Sequence, residues 1–83
     1  MPATYFPFAL DAHDAVPLYL QMSRHVSWLF GTHPLVMERL PSEADFCQMY
    51  GVSRITVRQA LAYLAERDIV VRQHGRGTFV GPL

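Results

Sequence analysis

Only three residues, Gly51-Val52-Ser53, separate two stretches that each carry a helical apolar period. Before them, Ser42 opens a run in which Phe46, Met49 and Tyr50 supply apolar surface. After them, Val57, Ala60, Leu61 and Leu64 recur at i, i+3, i+4 and i+7, the stripe of a helix with one buried face. Gly51 adopts the left-handed conformation that ends a helix at little cost, and Ser53 is a residue type that caps the next one. Ser42 with Asp45 three residues on has the capping-box spacing, in which the hydroxyl accepts from a free backbone N–H and the acid reaches back. Two helices joined this tightly cannot run on as one rod. They must cross, and their apolar stripes require further elements to cover them.

The rest of the chain supplies those elements. Pro17 stands where a helix start tolerates proline, and Leu18, Met22, Val26 and Leu29 then keep helical spacing until Gly31. This predicts a first helix of about 13 residues. Residues Met1 to Val16 hold two prolines and three aromatics without a sustained period, and read as an extended or partly ordered arm. Thr32 to Glu38 reads as a loop, followed by a short extended stretch around Met37 to Leu40. After Asp68 the period changes. Ile69 to Arg72 and Thr78 to Val80 are rich in β-branched residues, with His74-Gly75-Arg76-Gly77 between them, the pattern of a β-hairpin. The expected fold is mainly α with a small β-hairpin.

Eighty-three residues suffice for one small domain and not for two. No stretch approaches the roughly 20 apolar residues of a membrane span, and no basic region precedes an apolar run at the N-terminus, so a cytoplasmic location and no membrane partner are expected. The single Cys47 cannot form an internal disulfide and reads as a small residue on a buried helix face. His13, His25, His33 and His74 are scattered, with no metal-ligand pair at short spacing, and no nucleophile has a visible base. Neither an enzyme, a metal site nor a cofactor is expected.

Net charge is zero, but its distribution is uneven. Met1 to Ser53 holds two arginines against five acids, whereas Arg54 onward holds five arginines against two acids. There is no lysine, so every fixed cation carries the planar fork that suits phosphate and guanine edges. At 100° per residue, the buried stripe of the third helix leaves Ile55 and Gln59 outward, with Thr56 and Arg58 on the flanks. The start of such a helix attracts phosphate through its unpaired N–H groups, and the Ser53 and Thr56 hydroxyls can add bonds to it. Arg54 and Arg58, four residues apart, suit either phosphate or guanine. Ile55 suits a thymine methyl, with burial against the second helix as the competing reading, and Gln59 suits an adenine edge or plain solvation. At the hairpin tip, Gly75 and Gly77 allow close backbone approach and Arg76 projects a cation suited to a narrow minor groove. His74 suits sugar or phosphate, or is an ordinary exposed turn residue.

Taken jointly, Leu40-Pro41-Ser42-Glu43, Val52-Ser53-Arg54 with Thr56-Val57-Arg58, and Gly75-Arg76-Gly77-Thr78-Phe79-Val80 resemble the winged helix-turn-helix DNA-binding domain of the GntR family of bacterial regulators. The resemblance covers residues 17–80, leaving 1–16 as the arm and 81–83 as the start of a linker to an absent C-terminal effector domain. It implies a double-stranded DNA partner, an inverted-repeat operator bound by a homodimer of the full-length protein, and a small-molecule effector held by that further domain. By motif, it places Ser53, Arg54, Thr56 and Arg58 at the recognition-helix contacts, and His74, Gly75 and Arg76 at the wing contacts; Ser42, at the start of the second helix, is a further candidate DNA contact. Two positions depart from the family pattern. Ala44 stands where an arginine often follows the acid, and Val36-Met37 stands where Pro-Gly is usual. The alternative is a winged helix used for protein interaction without DNA, since fold does not fix function.

Overall fold

The computed structural model describes residues 10–31 and 39–81. Three helices and one hairpin follow in order: α1 (Leu18–Gly31), α2 (Glu43–Tyr50), α3 (Arg54–Glu66), β1 (Val70–Gln73) and β2 (Gly77–Val80). The predicted loop at 32–38, with His33, and most of the N-terminal arm lie outside the described residues.

α1 starts directly after Pro17, whose carbonyl accepts from the N–H groups of Leu20 and Gln21 at 3.0 and 3.1 Å. Residues 11–16 turn rather than extend, because Asp11 and Asp14 each accept a backbone N–H two residues on. Gln21 then ties this segment to the helix. Its amide donates to the carbonyls of Asp11 and Val16, both at 2.8 Å, while its oxygen accepts from the Asp11 N–H.

The α2–α3 turn follows the sequence expectation. Ser42 caps α2 by accepting from the Asp45 N–H at 3.1 Å. The reciprocal bond from the Asp45 carboxylate is not made among the described residues, so half of the capping box forms. Gly51 has φ 64° and ψ 38°, and a Cβ there would meet no atom within 4 Å. Its requirement for glycine is therefore conformational and not steric. Its N–H donates to the Cys47 carbonyl at 2.8 Å, which closes the helix end.

The core sits where the three helices and the hairpin meet. Met22 and Val26 come from α1, Phe46 and Tyr50 from α2, Val57, Ala60, Leu61 and Leu64 from α3, and Val70 and Val80 from the hairpin, with Leu40 beside them. All four residues of the expected α3 stripe are buried. Cys47 is half-buried against this core. Where α1 crosses α3, the facing residues are small: Ser23 and Ala60 are both fully buried. The Ser23 hydroxyl donates to the Tyr19 carbonyl at 2.7 Å and approaches the Ala60 carbonyl at 3.4 Å, so this polar group costs little to bury.

α3 ends at Arg67, and Asp68 takes the left-handed conformation at φ 60°. The Ile69 N–H returns to the Leu64 carbonyl at 2.9 Å. The Ile69 carbonyl accepts from the Gly81 N–H at 3.0 Å, so Ile69 joins the hairpin on one side only, its N–H being taken by α3, and β1 begins one residue later than its β-branched composition suggests. The hairpin is antiparallel, pairing Val70 with Val80, Val71 with Phe79, Arg72 with Thr78 and Gln73 with Gly77. A further antiparallel bridge joins Arg39 to Phe79, and the Leu40 N–H donates to the Thr78 carbonyl at 2.8 Å. The extended stretch expected before α2 is thus extended at residues 39 and 40 and lies along β2.

His25 of α1 meets Tyr50 of α2, with Nδ1 and the phenol oxygen 2.7 Å apart. Burial lowers the His25 pKa from its ordinary value of 6.5 and raises that of Tyr50. Because the folded His25 binds its proton less readily, the unfolded chain holds more protons between the folded value and 6.5. This stabilising contribution is fully present above pH 6.5 and is lost as pH falls through 6.5 toward the folded value. Urea midpoints at pH 7.5 and 5.5 are expected to show lower stability at the acid pH, and His25→Asn is expected to shrink that difference. Equal differences in both proteins would remove His25 as the cause.

Candidate nucleic-acid interface

The start of α3 is built by its cap. Ser53 has φ −75° and ψ 161°, and its Oγ accepts from the Thr56 N–H at 3.2 Å and lies 3.1 Å from the Thr56 hydroxyl. The two hydroxyls expected to meet phosphate are therefore already paired with each other. Each oxygen still has bonding capacity for a ligand, since a hydroxyl both donates and accepts.

From this capped start, Arg54, Ile55, Arg58 and Gln59 are exposed, while Thr56 is half-buried. Ile55 is 67% exposed, which overturns the competing reading that it packs against α2. Arg54 makes no hydrogen bond or ion pair among the described residues. Arg58 is different: its Nε lies 3.2 and 3.4 Å from the two Glu43 carboxylate oxygens at the start of α2. The pair is partly solvated, at 58% and 31% side-chain exposure, so its contribution is under about 1 kcal/mol. Its effect is chiefly orientation. Glu43 holds one edge of the guanidinium and leaves the two terminal nitrogens for another acceptor. Gln59 borders a shallow depression with Tyr19, Ala62, Tyr63 and Glu66.

The hairpin presents His74, Gly75 and Arg76 at its tip, all exposed. The Arg76 N–H donates to the Gln73 carbonyl at 2.9 Å, and Gly75 and Gly77 have φ of 76° and 120°. Glycine serves this turn at both positions. Arg76 forms no ion pair among the described residues, so its charge is available. Below the tip, a groove of about 390 Å³ is lined by Arg72, Gln73, His74, Gly75, Gly77 and Thr78.

A larger recess of about 450 Å³ lies between the α2 start and the tip-side end of β2, with Arg39, Ser42, Glu43, Gly77 and Thr78 among its lining residues. Ser42 thus faces the hairpin, while the Glu43 beside it reaches toward α3. The fold gathers Ser53, Arg54, Ile55, Thr56, Arg58 and Gln59 on one helix and places His74, Gly75 and Arg76 at a separate protrusion. Sequence reasoning passed over Arg39 and Arg72. Arg72 carried a signal, since it belongs to the arginine-rich half. Arg39 did not, because its position depends on pairing with a strand about 40 residues away.

Among the described residues, no group of three or more His, Cys, Asp or Glu side chains could hold a metal ion, and no helix is long and apolar enough to cross a membrane.

Comparison with known proteins places this geometry. Residues 31–80 match the family model described as bacterial regulatory proteins, gntR family. The HTH-type transcriptional repressor NagR of Bacillus subtilis is 35% identical over 72 residues, covering 86% of this chain and 30% of that protein. The HTH-type transcriptional regulator GgaR of Escherichia coli is 41% identical over 70 residues, covering 81% of this chain and 27% of that protein. The chain therefore spans less than a third of the length of these relatives. Among solved structures, the DNA-binding domain of AraR in complex with operator ORX1 superposes with a TM-score of 0.82 at 26% identity, covering 92% of this chain and 98% of that one. YtrA from Sulfolobus acidocaldarius, a GntR-family transcription factor, gives a TM-score of 0.75 at 28% identity, covering 88% and 78%. With three helices, a capped helix-turn-helix and a two-stranded wing, the chain belongs to the gntR family of bacterial regulatory proteins and has the winged helix-turn-helix fold of its DNA-binding domains.

Proposed function

We propose that the chain reads double-stranded DNA sequence-specifically, with α3 in the major groove and the wing at the minor groove. The observation that carries this reading is the exposed α3 start. A capped helix end presents Arg54, Ile55 and Gln59 to solvent, with Arg58 steadied by Glu43, and an outward isoleucine has no solvent role. The AraR domain, solved in complex with its operators, supports DNA as the partner, and NagR supports repression as the regulatory outcome. In this reading residues 17–80 are one half-site reader working in the cytoplasm. Its operator is an inverted repeat matched by a homodimer, and a small-molecule effector acts through a further domain beyond residues 81–83. Arg54 and Arg58 meet phosphate or guanine, Ile55 a thymine methyl, Gln59 an adenine edge, Ser42, Ser53 and Thr56 the backbone, and His74, Gly75 and Arg76 the minor groove rim.

The test is a fluorescence-anisotropy titration across salt concentrations, using duplexes the chain selects from a random library. Each phosphate neutralised contributes about −0.9 to the log–log slope, so a slope steeper than about −2 is expected. Failure to select any sequence, with affinity unchanged between about 50 and 200 mM salt, would leave the protein-interaction reading in its place.

A further inference from the structure

The recess between α2 and the wing holds a cation that the helix and wing-tip contacts do not use. Arg39 is exposed, and its backbone is fixed twice, by the bridge to Phe79 and by the Leu40 bond to Thr78. Its guanidinium lies across Gly77. A Cβ at Gly77 would stand 3.0 Å from Arg39 Nε and 3.4 Å from one terminal nitrogen, so the two residues are in close contact, while the φ of 120° at Gly77 is what favours glycine there. No acid claims the charge among the described residues. Glu43, which lines the same recess, is paired with Arg58, and the other ion pair joins Arg67 to Glu66. The start of α2 has no cation of its own, since its first turn reads Glu43, Ala44, Asp45.

In a helix-turn-helix the first of the two helices lies across the DNA backbone. A backbone strand running from the α3 side toward the wing would pass this recess, where the Asp45 carboxylate repels it and Glu43 is already offset by Arg58. A cation there, carried on a backbone held against β2, offsets that repulsion. We infer that Arg39 is a further DNA-binding residue, which holds a backbone phosphate between the α2 start and the wing. The inference rests on the DNA-binding reading above. The contact is sequence-independent, because a phosphate carries no base information. Arg39 therefore tightens binding and sets the position of the wing against the duplex.

The test compares wild type, Arg39→Gln and Arg39→Lys on a selected duplex and on an unrelated duplex, each at several salt concentrations. Arg39→Gln is expected to weaken binding to both duplexes by a similar factor, roughly five- to tenfold, and to reduce the log–log slope by about 0.9. Arg39→Lys keeps the charge and is expected to retain the wild-type slope. A merely structural role would lower the melting temperature of both variants and leave the slope unchanged. In the unmodified chain, the Arg39 Nε–H resonance is expected to shift on adding duplex, a readout that needs no variant. An unchanged resonance at saturation, or an unchanged slope in Arg39→Gln while wild type binds with steep salt dependence, overturns the assignment. Salt-independent behaviour of wild type itself overturns the DNA-binding reading and this assignment with it.

Discussion

Replacing Arg54 and Arg58 together with alanine is expected to weaken binding to a selected duplex by roughly 100- to 1,000-fold, since each arginine that pairs with a base edge contributes about 1–3 kcal/mol. The melting temperature is expected to move by only a few degrees. Both side chains are exposed, and among the described residues the one interaction lost is the partly solvated Arg58–Glu43 pair. The two positions are also expected to differ. Arg54 has no partner among the described residues, whereas Arg58 is oriented by Glu43 before any ligand arrives. Base substitutions in the selected duplex separate their roles. If one arginine reads guanine, its alanine variant loses discrimination at a single base pair. If it holds phosphate, all sequences weaken alike and the salt slope flattens by about 0.9. A double variant that binds every duplex as tightly as wild type would remove α3 as the reading helix.

The second large effect concerns the fold. Phe46→Ala is expected to destabilise the domain by about 3–5 kcal/mol, because the ring is wholly buried and its removal leaves a cavity in the shared core. A domain of this size holds only about 4–12 kcal/mol in total, so the variant is expected to melt more than about 12 °C below wild type. Phe46→Leu keeps most of the volume and is expected to cost much less. Thermal melts followed by circular dichroism check both. A Phe46→Ala melt within a few degrees of wild type would mean that α2 contributes little to the core. DNA affinity is expected to fall with the same variant, since α2 carries Glu43 and sets the turn that aims α3.

The helical elements were legible because their signals are local. Ser42, Gly51 and Ser53 decide their own backbone geometry, and the Val57, Ala60, Leu61 and Leu64 stripe needs only the helical period to be read. The outward positions of Ile55 and Gln59 followed from that same period. Non-local geometry was not legible. That Glu43 would reach Arg58 depends on the crossing of α2 and α3, and Arg39 gains its place through pairing with a strand far along the chain. The start of β1 differs by one residue because Ile69 bonds to Gly81 of the hairpin through its carbonyl but gives its N–H to the preceding helix. Composition reports what a residue favours, and the Leu64 carbonyl was a competing partner that composition does not display.

The close crossing of Ser23 and Ala60 has a consequence for how such a domain changes its preferences. Ala60 is buried on the inner side of α3, directly next to Gln59 on the outer side. The depth to which α3 stands out from the body is therefore gauged by two small buried side chains. Enlarging either one would push the reading surface outward or tilt it, as a shim does under a tool. Drift in operator preference among relatives is then expected to arise from beneath the helix as well as from its exposed face.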